Sequence, residues 1–347
     1  MKGALDNGRC FLSFDKRRFC MNPYMKNPTV FCGEKSVRDF LNPANYPAPP
    51  LVEVSGLWNF CKENGIQVHA SCPSFQNGTI KLLAAYNMLQ EAENAGMLDE
   101  IKGLVESTSG NMGCALGRIG KHFGIKTVKV IVPSDVAPGR LEALRMAGVE
   151  IEFVKSGAIA RAKEYAQKGY LHLNQYGNKH NPEAVKKWLA PRIWGQTRGK
   201  ITVFCSAMGT CGTMIGTSDF LKAKNKKIAI LGIHLEKDEA VPGIRTLARL
   251  AEVSLPWERH VDYLVGVKAK ESYKNSVMLC RAAGLDAGPS SGSAASGLMA
   301  WLYKTWKSNE LDNFRNENGL VVAVFVCPDG PQAYIDKYST FLDPMDF

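Results

Sequence analysis

Leu104-Val-Glu-Ser-Thr-Ser-Gly-Asn-Met-Gly-Cys-Ala-Leu-Gly-Arg-Ile-Gly-Lys-His-Phe-Gly-Ile-Lys-Thr-Val-Lys-Val-Ile-Val-Pro133 decides the fold class. A short apolar run, Leu104 to Ser107, is followed by a loop of small hydroxyl and amide residues and a helical stretch through Phe123. A β-branched run, Val128 to Pro133, closes the unit. This is a βαβ pattern, whose two strands lie parallel because the helix carries the chain back across the sheet. Working outward, the same alternation recurs at intervals of roughly 20 to 30 residues from about residue 66 onward. Further strands are expected at Val149 to Val154, Tyr170 to Asn174, Ile201 to Ala207, Ile228 to Leu235, Asp262 to Val267 and Leu320 to Cys327. Helices are expected over Leu82 to Ala95 and Leu141 to Ala147, each ended by a glycine that supplies a left-handed cap. The expected class is α/β with mainly parallel sheets.

The remainder of the 347 residues fits a globular protein, with 45% hydrophobic and 22% charged positions. Residues 1–45 mix Asn, Pro, Phe and basic side chains without period, and read as an amino-terminal extension. Ten cysteines contain no CxxC pair, which points to reduced thiols and a cytoplasmic protein. A net charge of +10 could serve nucleic acid, anionic lipid or a small anion. The basic residues form no long arm and no stripe studded with aromatics, so neither nucleic acid nor membrane is expected as a partner. The longest apolar run, Leu320 to Cys327, is far shorter than the roughly 20 residues of a membrane helix. No apolar core of a secretory signal is visible near Met1.

Ligands of open α/β sheets sit beyond the carboxyl ends of the strands. Three unusual loops fall there. Ser107-Thr-Ser-Gly-Asn-Met-Gly113 offers hydroxyls, an amide and a helix end to a carboxylate, although Ser, Thr and Asn are also ordinary caps. Gly209-Thr-Cys-Gly-Thr213 has two glycines that let the backbone close on a phosphate, or serve merely as a turn. It is neither GxGxxG nor a Walker sequence, which disfavours a nucleotide. Gly288-Pro-Ser-Ser-Gly-Ser293 opens a third helix. Lys81, in Asn77-Gly-Thr-Ile-Lys81, stands among apolar neighbours that lower an amine's pKa and free it for imine chemistry, or it snorkels from a core helix. Together the four match the needs of pyridoxal phosphate: a lysine for the aldehyde, a phosphate cradle, a partner for the pyridine nitrogen and a carboxylate clamp.

These segments resemble the cysteine synthase and cystathionine β-synthase family of pyridoxal-phosphate enzymes, which share the fold of the tryptophan synthase β subunit (fold type II). Pro49-Pro-Leu-Val-Glu-Val54 is similar to the family's TPLV opening, Gly78-Thr-Ile-Lys81 to GSxK, and Thr108-Ser-Gly-Asn-Met-Gly113 to TSGNTG. Gly209 to Thr213 resembles GTGGT and Gly288-Pro-Ser-Ser-Gly292 resembles GISSG. The resemblance implies two three-layer αβα domains with twisted, mainly parallel sheets and the cofactor in the cleft between them. It implies a smaller domain over 66–187, and a larger one from 46–65 plus 188–347.

By position, Lys81 would hold the cofactor and act as the base at Cα. Asn111, Gly209, Thr210, Cys211, Gly212, Thr213 and Ser290 would complete the cofactor site, with Ser290 on the pyridine nitrogen. Thr108, Ser109, Gly110, Asn111, Met112 and Gln175 would grip the substrate. The implied activity is β-replacement on an O-acetyl- or O-phosphoserine-like substrate, through an aminoacrylate, by a small nucleophile. The product would be cysteine or another β-substituted alanine. β-Elimination or deamination of the serine/threonine dehydratase or cysteine lyase type is the alternative, and a non-catalytic scaffold the third reading. A homodimer is implied, and no metal or haem. A serine at the pyridine nitrogen cannot hold a pyridinium as an aspartate does, which favours loss of a β-substituent. Met112, Cys211, Leu83, Val185 and Cys327-Pro-Asp-Gly-Pro331 depart from the family pattern, and are expected where substrate choice is made.

Overall fold

The computed structural model describes residues 30–74, 78–108 and 110–347. The chain forms two compact units, Met1–Pro47 and Ala48–Phe347. In the first, a short helix, Ser36–Leu41, and a 3-10 turn, Pro43–Asn45, are described. Phe40 packs edge-on against Phe31 and Tyr46 at centroid distances of 5.7 and 6.5 Å.

The second unit contains ten described strands: β1 Leu51–Glu53, β2 Ile66–Ser71, β3 Gly103–Ser107, β4 Val128–Pro133, β5 Glu150–Val154, β6 Tyr170–His172, β7 Val203–Ala207, β8 Ala229–Leu235, β9 Tyr263–Val267 and β10 Val321–Val326. Its principal helices are α1 Lys81–Asn94, α2 Asn111–Gly120, α3 Pro138–Met146, α4 His180–Trp188, α5 Gly212–Lys224, α6 Ala269–Ala283, α7 Pro289–Lys307 and α8 Ile335–Phe341. A four-stranded sheet runs β5-β4-β3-β6 and a six-stranded sheet runs β1-β2-β10-β7-β8-β9. All pairs are parallel except β1 with β2, as the βαβ pattern requires.

β10, Val-Val-Ala-Val-Phe-Val, is buried along its whole length because it has a neighbour on each edge and helices on its faces. Its Val322 lies beside Gln67 of β2, and its Val324 beside Phe204 of β7. Around it one large core joins side chains from Val54 to Leu342, including Val68, Leu231, Tyr273, Leu298 and Phe325.

Each of the eight expected strands is present, with three informative shifts. β6 stops at His172 because Asn174 takes a left-handed conformation, φ 54°, and its carbonyl accepts the N–H groups of Gly177 and Asn178 in a turn. α3 begins at Pro138, earlier than expected, with the proline in the first turn, where its missing N–H costs nothing. β1 and β2 were not foreseen. β2 pairs with β10, so Ile66–Ser71 belongs to the six-stranded sheet. A strand flanked by β1 and β10 on either edge has nothing local in its sequence to name those partners. Among the described residues no helix is long and apolar enough to cross a membrane.

Candidate active site

Four chain segments that are far apart in sequence meet at the carboxyl ends of β3, β7 and β10. Lys81 is the first residue of α1. Its approach is pinned by Ile80, whose N–H donates to the Pro328 carbonyl at 2.8 Å, and by a bridge between Thr79 and Asp329. Lys81 Nζ donates to Thr210 Oγ1 at 3.1 Å, which ties α1 to the loop after β7. Desolvation lowers the Lys81 ammonium from 10.5 to about 8, against the opposing pull of Cys211, Asp329 and Glu106.

The loop after β7 is shaped by close backbone contacts. A Cβ on Gly209 would stand 2.3 Å from the Gly243 carbonyl oxygen, and one on Gly212 2.2 Å from Asn181 Oδ1. Only glycine admits these approaches. Asn181 Nδ2 in turn donates to Thr210 Oγ1 at 3.1 Å and to the Gln175 carbonyl at 2.8 Å. Cys211 takes the left-handed conformation, φ 62°, at the N-cap of α5, a conformation that glycine adopts more readily than a residue with a side chain. Burial pushes its thiol up to about 12.

On the other side, the loop after β3 rests on a buried carboxylate. Glu106 accepts from the Ser107 N–H at 3.1 Å and the Gln175 N–H at 3.3 Å, and Gln175 Nε2 donates to the Ser107 carbonyl at 3.2 Å. Asn111, the first residue of α2, donates through Nδ2 to Asp329 Oδ2 at 2.5 Å. Arg140 lies over Gly110, its Nη2 2.0 Å from where a Cβ would be, so a side chain there would have to displace the guanidinium.

A cavity of about 450 Å³ is lined by Lys81, Thr108, Asn111, Met112, Gln175, Gly209 and Thr210. A smaller adjoining space of about 70 Å³ is lined by Lys81, Asn111, Gly209 to Thr213 and Ser290. The expected cofactor and substrate residues therefore converge, apart from Gly110, which touches neither space, and Ser109, which lies outside the described residues together with Asn77. Leu83 and Val185, expected among the positions of substrate choice, line neither cavity. Both are buried, on α1 and α4, and serve packing instead. Arg140, Arg245, Arg249 and Lys337 outnumber Asp135 and Glu239 on the larger cavity's wall, which suits an anionic ligand. Arg245 is held 4.6 Å over the Tyr176 ring and donates to Glu252 Oε2 at 2.5 Å.

The sequence reading missed Tyr334, Asn181 and Arg140 as site residues, and it placed Asp329 near the site only as part of Cys327-Pro-Asp-Gly-Pro331, without a role of its own. The residues present fit pyridoxal phosphate. A desolvated amine, a glycine-built cradle at the N-terminus of α5 with its free amide groups, and a hydroxyl on α7 all face one space.

Comparison with known proteins agrees. The family described as "Pyridoxal-phosphate dependent enzyme" matches residues 46–312. Cysteine synthase B of Escherichia coli (strain K12) is 34% identical over 233 residues, covering 64% of this chain and 75% of that protein. Cysteine synthase of Aquifex aeolicus is 28% identical over 296 residues, covering 82% and 88%. In fold, the crystal structure of cysteine synthase from Entamoeba histolytica superimposes with a TM-score of 0.76 at 24% identity, covering 92% of this chain and 94% of that one. O-ureido-L-serine synthase gives 0.75 at 19%, covering 88% and 94%. The amine, the glycine cradle and the length of the match agree on one conclusion: this chain belongs to the pyridoxal-phosphate dependent enzyme family.

Proposed function

We propose that the protein catalyses β-replacement on an activated L-serine derivative, such as its O-acetyl or O-phospho ester, giving cysteine or another β-substituted alanine. When bound, pyridoxal phosphate supplies the electron sink that acidifies the substrate's Cα–H bond. Lys81 anchors the cofactor and receives the Cα proton, a task suited to an amine lowered to about 8. Gly209, Thr210, Cys211, Gly212 and Thr213 hold the phosphate. Thr108, Ser109, Asn111 and Gln175 hold the substrate carboxylate, Gly110 and Met112 complete the substrate loop, and Ser290 faces the pyridine nitrogen. The observation that carries this reading is the meeting of Lys81 Nζ with Thr210 Oγ1 at 3.1 Å, an amine at the phosphate cradle.

Relatives named cysteine synthase support replacement over elimination. The reading includes two αβα domains, the smaller built on the four-stranded sheet, in a cytoplasmic homodimer whose mass light scattering would check. The decisive experiment mixes holoprotein with serine esters, adds sulfide, cyanide, amines or thiols in turn, and identifies products by mass. Pyruvate and ammonia formed without consumption of any nucleophile would instead establish elimination. Protein that stays colourless with added cofactor would mark a scaffold. Lys81→Ala is expected to abolish turnover and borohydride trapping of the cofactor.

A further inference from the structure

The four cations that line the larger cavity are not equivalent. Arg245 and Arg249 share the carboxylate of Glu252, at 2.5 and 3.5 Å, so that segment is partly neutralised from within. Arg140 on α3 and Lys337 on α8 make no ion pair among the described residues. The Arg140 guanidinium lies 5.6 Å over the Tyr334 ring, and Lys337 follows Tyr334 by three residues, in the first turn of α8. The acids of the same cavity leave these two cations alone. Glu239 accepts the Ala269 N–H at 2.8 Å at the start of α6, and Asp135 is exposed to solvent. Beside them the stacked rings of Tyr273 and Phe341, with centroids 4.6 Å apart, supply apolar wall.

Two cations held on one cavity wall without a counterion repel each other, and an anion relieves both. The donor's α-carboxylate does not need them, because the loop after β3 is placed for it. Sulfide does not need them either. A nucleophile of that size fills about the room of a water, roughly 30 Å³, whereas a cavity of about 450 Å³ is in the range that encloses whole organic molecules. Arg140 and Lys337 stand on helices that carry no part of the phosphate cradle, and the stacked rings offer a surface to a carbon chain. We propose that Arg140 and Lys337 are specificity residues that hold the carboxylate of the incoming nucleophile, so that the second substrate is a thiol or amine carrying a carboxylate rather than sulfide. This rests on the β-replacement reading. The guanidinium gives a directional, charge-assisted pair and the ammonium a second point charge. In the transfer, the nucleophile's sulfur or nitrogen bonds to Cβ while the donor's oxygen–Cβ bond breaks. The electron pair of that bond and the nucleophile's proton leave with the ester group as an acid, so neither oxidant nor reductant is required.

The test gives the holoprotein O-acetylserine and compares 3-mercaptopropionate with its neutral analogue 3-mercaptopropanol. The wild type is expected to favour the carboxylate thiol by about tenfold or more in kcat/KM, and Lys337→Met and Arg140→Met each to lose most of that preference. The preference is a ratio within each variant, so a general loss of activity cancels. Calorimetric titration of the holoprotein with the two thiols, without donor, is expected to show the same gap in affinity and the same narrowing. Should Arg140→Met fail to fold, Lys337→Met decides alone. A wild type that treats the two thiols alike, or a preference that neither variant reduces, overturns the assignment and leaves β-replacement standing. With sulfide as nucleophile, variants that lose activity on O-phosphoserine but not on O-acetylserine, and keep the thiol preference, assign the cations to the leaving group and overturn it too. Pyruvate released with no thioether from either thiol overturns β-replacement and the assignment together.

Discussion

Lys81 shows how much one half-buried, desolvated amine can say about a protein. Its ammonium is lowered from 10.5 to about 8 by desolvation, so the folded apoprotein carries the cost of a charge it would rather not hold. Between these two values the unfolded chain binds the proton and the folded chain does not, so stability attributable to this group rises with pH across that window. At about 1.36 kcal/mol per pH unit the cost below pH 8 is at most about 3 to 4 kcal/mol. The Lys81→Met apoprotein is therefore expected to be the more stable form in urea at pH 7, with its advantage shrinking toward pH 10.5. Cys211 makes a second residue-scale prediction. With its thiol pushed up to about 12, it carries almost no thiolate at pH 8, so it is expected to react with iodoacetamide far more slowly than the exposed Cys32, as peptide mass mapping would show. The sequence marks Cys211 as a departure from the family pattern, and its left-handed backbone shows the conformation a non-glycine residue must adopt there.

The loops and helices depend on close approach. Gly292 was read from its motif as part of a cofactor loop, yet a Cβ there would meet the Ser272 carbonyl oxygen at 1.9 Å, where α7 crosses α6. Its task is to let two helix backbones touch. Gly292→Ala must push α6 and α7 apart, a backbone clash costing about 1 to 3 kcal/mol or more, measurable by urea unfolding. Gly209→Ala meets the Gly243 carbonyl in the same way. There the expected loss is in cofactor affinity, read by fluorescence titration, because the displaced loop carries Thr210 and the proposed phosphate cradle. The motifs alone treat the two glycines alike, and only the packing around each separates a contact between helices from a contact between loops.

For the molecule as a whole, a cofactor that binds only the folded chain must stabilise it by mass action. The gain is about 2.7 kcal/mol at a free concentration 100 times the dissociation constant. The melting temperature of the apoprotein is expected to rise steadily with added pyridoxal phosphate, and a calorimetric series would show it. The α/β class, eight strands and the places of the glycine turns were determined by the sequence, because alternation, capping and turn chemistry act over a few neighbouring residues. Only the tertiary structure decided that β2 lies between β1 and β10, and that Asp329 stands behind Ser290 while touching Asn111, 218 residues away. Those pairings arise when strands from distant parts of the chain assemble into one sheet and their loops share one buried edge. No local pattern records which partners such an edge will bring together.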